Sequence, residues 1–231
     1  MEKLQKINII FEDNHLLVVE KPANMPVCAD NSNDLDLLSL LKKYIKEKYN
    51  KPGNVYLGLV HRLDRPVGGI MVFAKTSKAA SRLSRQVQEH KLEKKYVAVC
   101  YGKVKEKEEL RDYLFKDKKQ NISYVTTKDK GKLSILDYSL IKYKNNFSLV
   151  DISLKTGRAH QIRVQFSSRK HPLVGDVKYG LNTEKIPVAL FAYKLAFYHP
   201  ISREKMKFEL EIPKRYPFNM GSSKLSGPSI N

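Results

Sequence analysis

Residues 55–75 read VYLGLVHRLDRPVGGIMVFAK, and their pattern decides the expected fold. Two β-prone runs, 55–60 and 70–75, flank the loop His61-Arg62-Leu63-Asp64-Arg65-Pro66-Val67-Gly68-Gly69. The glycine pair precedes a strand and not a helix, so it lacks the setting of a dinucleotide or P-loop phosphate turn. Upstream, INIIF at 7–11 and LLVVE at 16–20 are separated by Glu12-Asp13-Asn14, a hairpin signature. Lys21-Pro22 and Met25-Pro26 should stop regular pairing. Between 34 and 49, Leu37, Leu38, Leu41, Tyr44, Ile45 and Tyr49 recur at helical spacing, with Asn33 or Asp34 as the cap.

Downstream, the pattern predicts a helix over 77–90 and a strand over 92–101. The charged region 103–147 alternates weakly and is read as antiparallel strands, 121–127 and 133–143 among them. A strand at 147–154, a helix at 159–168 and strands at 188–198 and 206–212 complete the chain. Runs of strands with few helices, none in strict alternation, predict an α+β fold with a mainly antiparallel sheet. No internal repeat and no dividing linker is visible. Residues 1–218 are therefore expected to form one domain, and the polar stretch 219–231 a frayed tail.

The 231 residues carry 43 Lys and Arg against 24 Asp and Glu, a formal charge of +19. Such an excess repels itself in a folded chain and points to a polyanionic partner, with nucleic acid leading. No apolar stretch approaches the roughly 18–20 residues that cross a bilayer. The N-terminus reads as strands and not as an export signal. Cys28 and Cys100 lack CxxC spacing, so neither a disulfide framework nor a zinc site is suggested, and a reducing cytoplasm is expected.

Three segments concentrate reactive groups. In the 61–69 loop, Asp64 lies between Arg62 and Arg65, and cations beside a carboxylate favour the ionised form that a nucleophile or base requires. The same residues could equally build a turn with Pro66 and Gly68, and composition and spacing leave both open. In Lys94-Lys95-Tyr96-Val97, Tyr96 offers a face for stacking on a base and a hydroxyl to steer a proton. In Gly157-Arg158-Ala159-His160-Gln161-Ile162-Arg163, helical spacing turns Arg163 inward, where it needs a carboxylate partner. A solvent-facing Arg163 on phosphate is the weaker alternative.

HRLD followed by glycine, KKYVAVCYG, GRAHQIRVQ and HPLVGDVKYG resemble, in order and spacing, the RluA-type pseudouridine synthases. The opening IIFEDNHLLVVEKPANMPV and the closing LFAYKLAFYHP are similar to that family too, so the likeness runs from about residue 7 to 213. The resemblance implies a bent, mixed sheet around a central basic cleft. It implies that Asp64 acts on the ribose of the target uridine, Tyr96 stacks on the flipped base, and Arg163 pairs with the aspartate. Arg62 would fill the gap that the uridine leaves. His61, Arg65, Arg158, His160 and Gln161 are expected to contact the substrate.

The resemblance further implies no metal and no organic cofactor. The expected partner is RNA, ribosomal before transfer RNA, with no DNA and no membrane, and the chain is expected to act as a monomer. Two positions depart from the family pattern. Val67-Gly68 stands where a Thr-Ser pair is usual, and Asn24 stands where the early turn usually has glycine. Many relatives carry an extra N-terminal RNA-binding module, for which this chain has no room. Two other classes compete: an RNA-binding or assembly protein that lost catalysis, and a metal-dependent nuclease. The second would need clustered ligands that the six histidines do not show.

Overall fold

The computed structural model describes residues 7–30, 32, 34–180 and 186–220. In chain order its elements are β1 Asn8–Glu12, β2 Leu16–Lys21, α1 Leu37–Lys48, β3 Gly58–Leu59, β4 Gly68–Ala74, α2 Ser77–Gln88 and β5 Glu93–Tyr101. There follow β6 Lys107–Asp117, β7 Ile122–Thr126, β8 Lys132–Lys144, β9 Phe147–Leu154, α3 Gln161–Ser167, β10 Leu190–Tyr198 and β11 Lys205–Glu209. Two compact units result, Met1–Glu93 with Lys194–Leu210 and Lys94–Tyr193 with Glu211–Asn231. The chain changes unit at the start of β5, within β10 and again after Leu210, and the first two crossings fall inside strands, where no linker composition marks them.

In the first unit β1 and β2 form the expected hairpin. Its turn is held by the Asp13 carboxylate, which accepts the main-chain N–H groups of His15 and Leu16. β2 also pairs with β4, β3 adds to β4, and β11 pairs with the 194–198 part of β10, all antiparallel. β2 and β4 are buried on both faces, which is why LLVV and GGIMVFA are continuous apolar runs without alternation. The core gathers Leu16, Val18, Ile70, Val72, Leu195 and Phe197, onto which α2 packs Ala79 and Leu83. Burying each large side chain there stabilises the fold by roughly 1.5–3 kcal/mol.

α1 buries Leu37, Leu41 and Ile45, the stripe foreseen from the sequence. Its cap is Asp36 and not Asp34, because Asp36 accepts the Ser39 N–H while Leu37 and Leu38 donate to Pro26 and Val27; Asn33, the other expected cap, lies outside the described residues. The turn those bonds make delays the first helical residue. The strand expected over 55–60 shrinks to Gly58–Leu59, since only these two residues find partners on β4. Glu12 ties β1 to α1: Tyr44, Lys48, Tyr49 and Lys75 all donate to its carboxylate. Burial opposes ionisation of Glu12, yet these four donors outweigh it and hold the carboxyl at about 2.

The second unit runs β5-β9-β8-β6-β7, antiparallel throughout. β6 is the strand within 103–147 that the weak alternation left undelimited. Its burial alternates only in places, with Leu110 and Leu114 turned inward. β8 and β9 join through Asn145-Asn146, both left-handed at φ 51° and 59°. Asparagine tolerates that conformation, and a two-residue loop of this kind matches strand twist. α3 is short and its residues 161–166 are all buried, with the Phe166 ring 5.3 Å from that of Tyr138. At the C-terminus, Met220 is buried and donates its N–H to Pro217; residues 221–231 of the expected tail lie outside the described residues. The α+β class with mainly antiparallel pairing holds.

Candidate active site

In the first unit, the 61–69 loop is built on hydrophobic anchors. Leu63 and Val67 are buried while Arg62 and Arg65 are exposed and Asp64 is half-buried between them. The turn is closed by the Asp64 main-chain carbonyl, which accepts the Val67 N–H at 3.0 Å. A turn and a reactive carboxylate are therefore compatible at this position, and the two alternatives left open by the sequence are not exclusive. Gly69 has φ 127°, a region that side chains disfavour, at the point where the loop enters β4.

The loop is fastened from below by Lys21, a residue the sequence suggested only as a strand end. Its side chain is fully buried, and its ammonium donates to the carbonyls of Pro22 (2.8 Å), Arg65 (3.0 Å) and Val67 (2.7 Å). Burial lowers its pKa to about 7, with Asp64 opposing and Arg65 assisting that shift. Val67, which replaces the usual hydroxyl residue, thus contributes a buried side chain and a carbonyl for Lys21. Asn24 adopts φ 64°, so it supplies the left-handed turn normally made by glycine.

Lys21→Met leaves three inward carbonyls without their donor and is expected to cost about 2–4 kcal/mol in urea denaturation. Folded Lys21 loses its proton near 7, against 10.5 when solvated. The unfolded state therefore binds more protons between these values, and wild-type stability gains from this site as pH rises through them. The methionine variant should lack that gain; an identical pH profile would contradict this account of Lys21.

His61 accepts the Val72 N–H on Nε2 at 3.1 Å, continuing the β4 ladder just beyond the point where β3 ends. Its lone pair therefore serves β4. Arg65 is engaged by an acidic loop, pairing with Asp30 at 3.5 Å and with Asp34, and donating to Ser32 at 3.0 Å. Arg62 is exposed and points no charge at a carboxylate among the described residues.

In the second unit, Tyr96 sits on β5 opposite Ile152 of β9 and is 6% exposed. Arg163 is 4% exposed and, as its inward position requires, faces a carboxylate: Asp176 accepts from Nε and Nη2, both at 2.7 Å. Asp176 also accepts the N–H groups of Lys178 and Tyr179. The Tyr179 ring lies under the guanidinium at 5.1 Å, and its hydroxyl meets His160 Nδ1 at 2.6 Å and the Ser123 N–H at 2.7 Å. Asp176 and Tyr179 were missed as site residues although both lie in HPLVGDVKYG; the signal was the motif, which gave no role to either.

Gln161 is buried, and its amide is occupied by Thr156, the Arg158 N–H, Ile135 and Gln165. It shapes the 156–161 turn from within. Arg158 is exposed and donates Nε to Leu133, and His160 is half-buried at φ 55°. Among the described residues no group of three or more His, Cys, Asp and Glu is placed to hold a metal ion, and no helix is long and apolar enough to cross a membrane.

Comparison with known proteins identifies the family. The family model described as RNA pseudouridylate synthase matches residues 15–168. An uncharacterized RNA pseudouridine synthase of Aquifex aeolicus is 35% identical over 91% of this chain and 71% of its own. Ribosomal large subunit pseudouridine synthase D of Zymomonas mobilis is 34% identical over 90% of this chain and 70% of its own. Human RNA Pseudouridylate Synthase Domain Containing 1 shares the fold, with a TM-score of 0.73 at 22% identity over 93% of this chain and 86% of that one. With its four motifs in order and relatives this close, the chain belongs to the RNA pseudouridylate synthase family, in its RluA-type branch, and is an RNA pseudouridine synthase, an isomerase.

Proposed function

We propose that this enzyme converts uridine to pseudouridine in structured ribosomal RNA, with transfer RNA the second choice, and that Asp64 is the reacting carboxylate. One observation carries the proposal: the motif aspartate is half-exposed on a turn fixed by Leu63, Val67 and Lys21, so its backbone is set before substrate arrives. The reaction breaks the C1′–N1 bond, turns the uracil, and joins C5 to C1′ while the C5 proton leaves. A stacked base cannot turn, so the nucleotide is flipped out first, at a cost of a few kcal/mol. Phosphate contacts to the basic surface and stacking on Tyr96 offset that cost.

Asp64 either attacks C1′ or removes the C2′ proton; both routes use the same ionised carboxylate. Arg163 orders the site, Arg62 fills the vacated stack, and His61, Arg65, Arg158, His160 and Gln161 act around them through the contacts described above. The enzyme works as a monomer on RNA and not DNA, in the cytoplasm, without metal or organic cofactor. The test is tritium release from unmodified ribosomal and transfer RNA transcripts labelled at uridine C5, with and without EDTA. Release that EDTA leaves unchanged, from ribosomal transcripts first, is expected. EDTA-sensitive activity would point to the metal-dependent class, and salt-sensitive binding with no release to an RNA-binding protein that lost catalysis.

A further inference from the structure

Lys94 and Lys95 are neighbours on β5 and meet different fates. Successive strand side chains point to opposite faces. Lys95 finds the Asp151 carboxylate at 3.0 Å on one face. Lys94 points to the other face, the one that also carries Tyr96 two residues on. It is half-buried, and among the described residues no carboxylate, carbonyl or hydroxyl accepts from its ammonium. Burial alone pushes its pKa down from the usual lysine value. A lysine whose stem is partly buried while its ammonium, still open to solvent, meets no acceptor among the described residues is placed to receive an anion that arrives later.

The surroundings are made for that ammonium. Its Nζ lies 3.0 Å from where a Cβ on Gly157 would stand, so any larger residue there would crowd it. Gly157 is fixed in turn by Thr156 and the Arg158 N–H, both bonded to the buried Gln161 amide. Arg158, exposed and next in sequence, adds a second positive group beside the same turn.

We propose that Lys94, in the room left by Gly157, binds a phosphodiester of the RNA next to the nucleotide that Tyr96 receives. The proposal rests on the RNA reading above. The anion is assigned to RNA because the chain carries a charge of +19 and Tyr96 on the same face suits a base. Lys94 is thus a substrate-binding residue that uses the same turn as the GRAHQIR motif.

The test compares wild type, Lys94→Met and Lys94→Arg for binding to an unmodified large-subunit ribosomal RNA transcript across salt concentrations, for tritium release, and for thermal unfolding. Lys94→Met should bind about tenfold more weakly, with the slope of log K against log salt smaller by about 1, and its unfolding midpoint should equal or exceed that of wild type. Lys94→Arg should keep the wild-type slope. Wild-type affinity and slope in Lys94→Met, with wild-type enzyme active, would overturn the phosphate site alone. So would a lowered midpoint with unchanged binding, which marks a structural lysine. Wild type that neither binds nor releases tritium would overturn the RNA reading, and this proposal with it.

Discussion

Asp64→Asn is expected to reduce tritium release from uridine-labelled RNA by at least about a thousandfold while leaving RNA affinity within about threefold of wild type. The amide keeps the shape of the carboxylate but neither attacks carbon nor accepts a proton, and removing a nucleophile or base commonly costs this much or more. Folding should be spared, because the turn is closed by the main-chain carbonyl of Asp64 and fastened by Lys21, neither of which changes. Single-turnover release and filter binding on the same transcript separate the two quantities. Equal loss of binding and turnover would mean that Asp64 shapes the RNA surface and does not perform the chemistry.

The second large effect is on stability. Asp176→Ala removes the carboxylate that takes both Nε and Nη2 of Arg163, and also the acceptor for the N–H groups of Lys178 and Tyr179. Breaking a buried pair from one side costs about 3–5 kcal/mol, because the remaining charge stays desolvated. Urea denaturation should show a loss in that range, and turnover should fall as Arg163 loses its orientation. Replacing both members with apolar residues, as in Arg163→Met with Asp176→Leu, should cost less stability than the sum of the single changes. Additive losses would show that the pair does not act as a unit.

How far the sequence disclosed this structure varied with the kind of interaction involved. Apolar runs such as LLVV and the Leu37, Leu41, Ile45 stripe report burial directly, so β2, β4 and α1 were legible. Asp64, Tyr96 and Arg163 were singled out only through ordered motifs, because one carboxylate between arginines has several possible uses. Lys21 was not legible as a loop fastener: its three acceptors are main-chain carbonyls, and two of them belong to residues 44 and 46 positions away. Arg163 announced that a buried carboxylate was needed, and the resemblance named Asp64 for it; Asp176, which accepts two of its N–H groups, went unread because it approaches only after the chain has turned out of α3. β6 was indistinct because partial exposure of both its faces blurs the period-two pattern.

The most direct test of the central claim is to follow one unmodified ribosomal RNA transcript, tritiated at uridine C5, for both tritium release and intact mass. Pseudouridine formation exchanges the C5 hydrogen with water and otherwise only rearranges bonds. Wild type should therefore release tritium while the unlabelled transcript keeps its length and mass, and Asp64→Asn should release none. Release accompanied by chain cleavage, or equal release by the Asp64→Asn variant, would contradict an isomerase that works through Asp64.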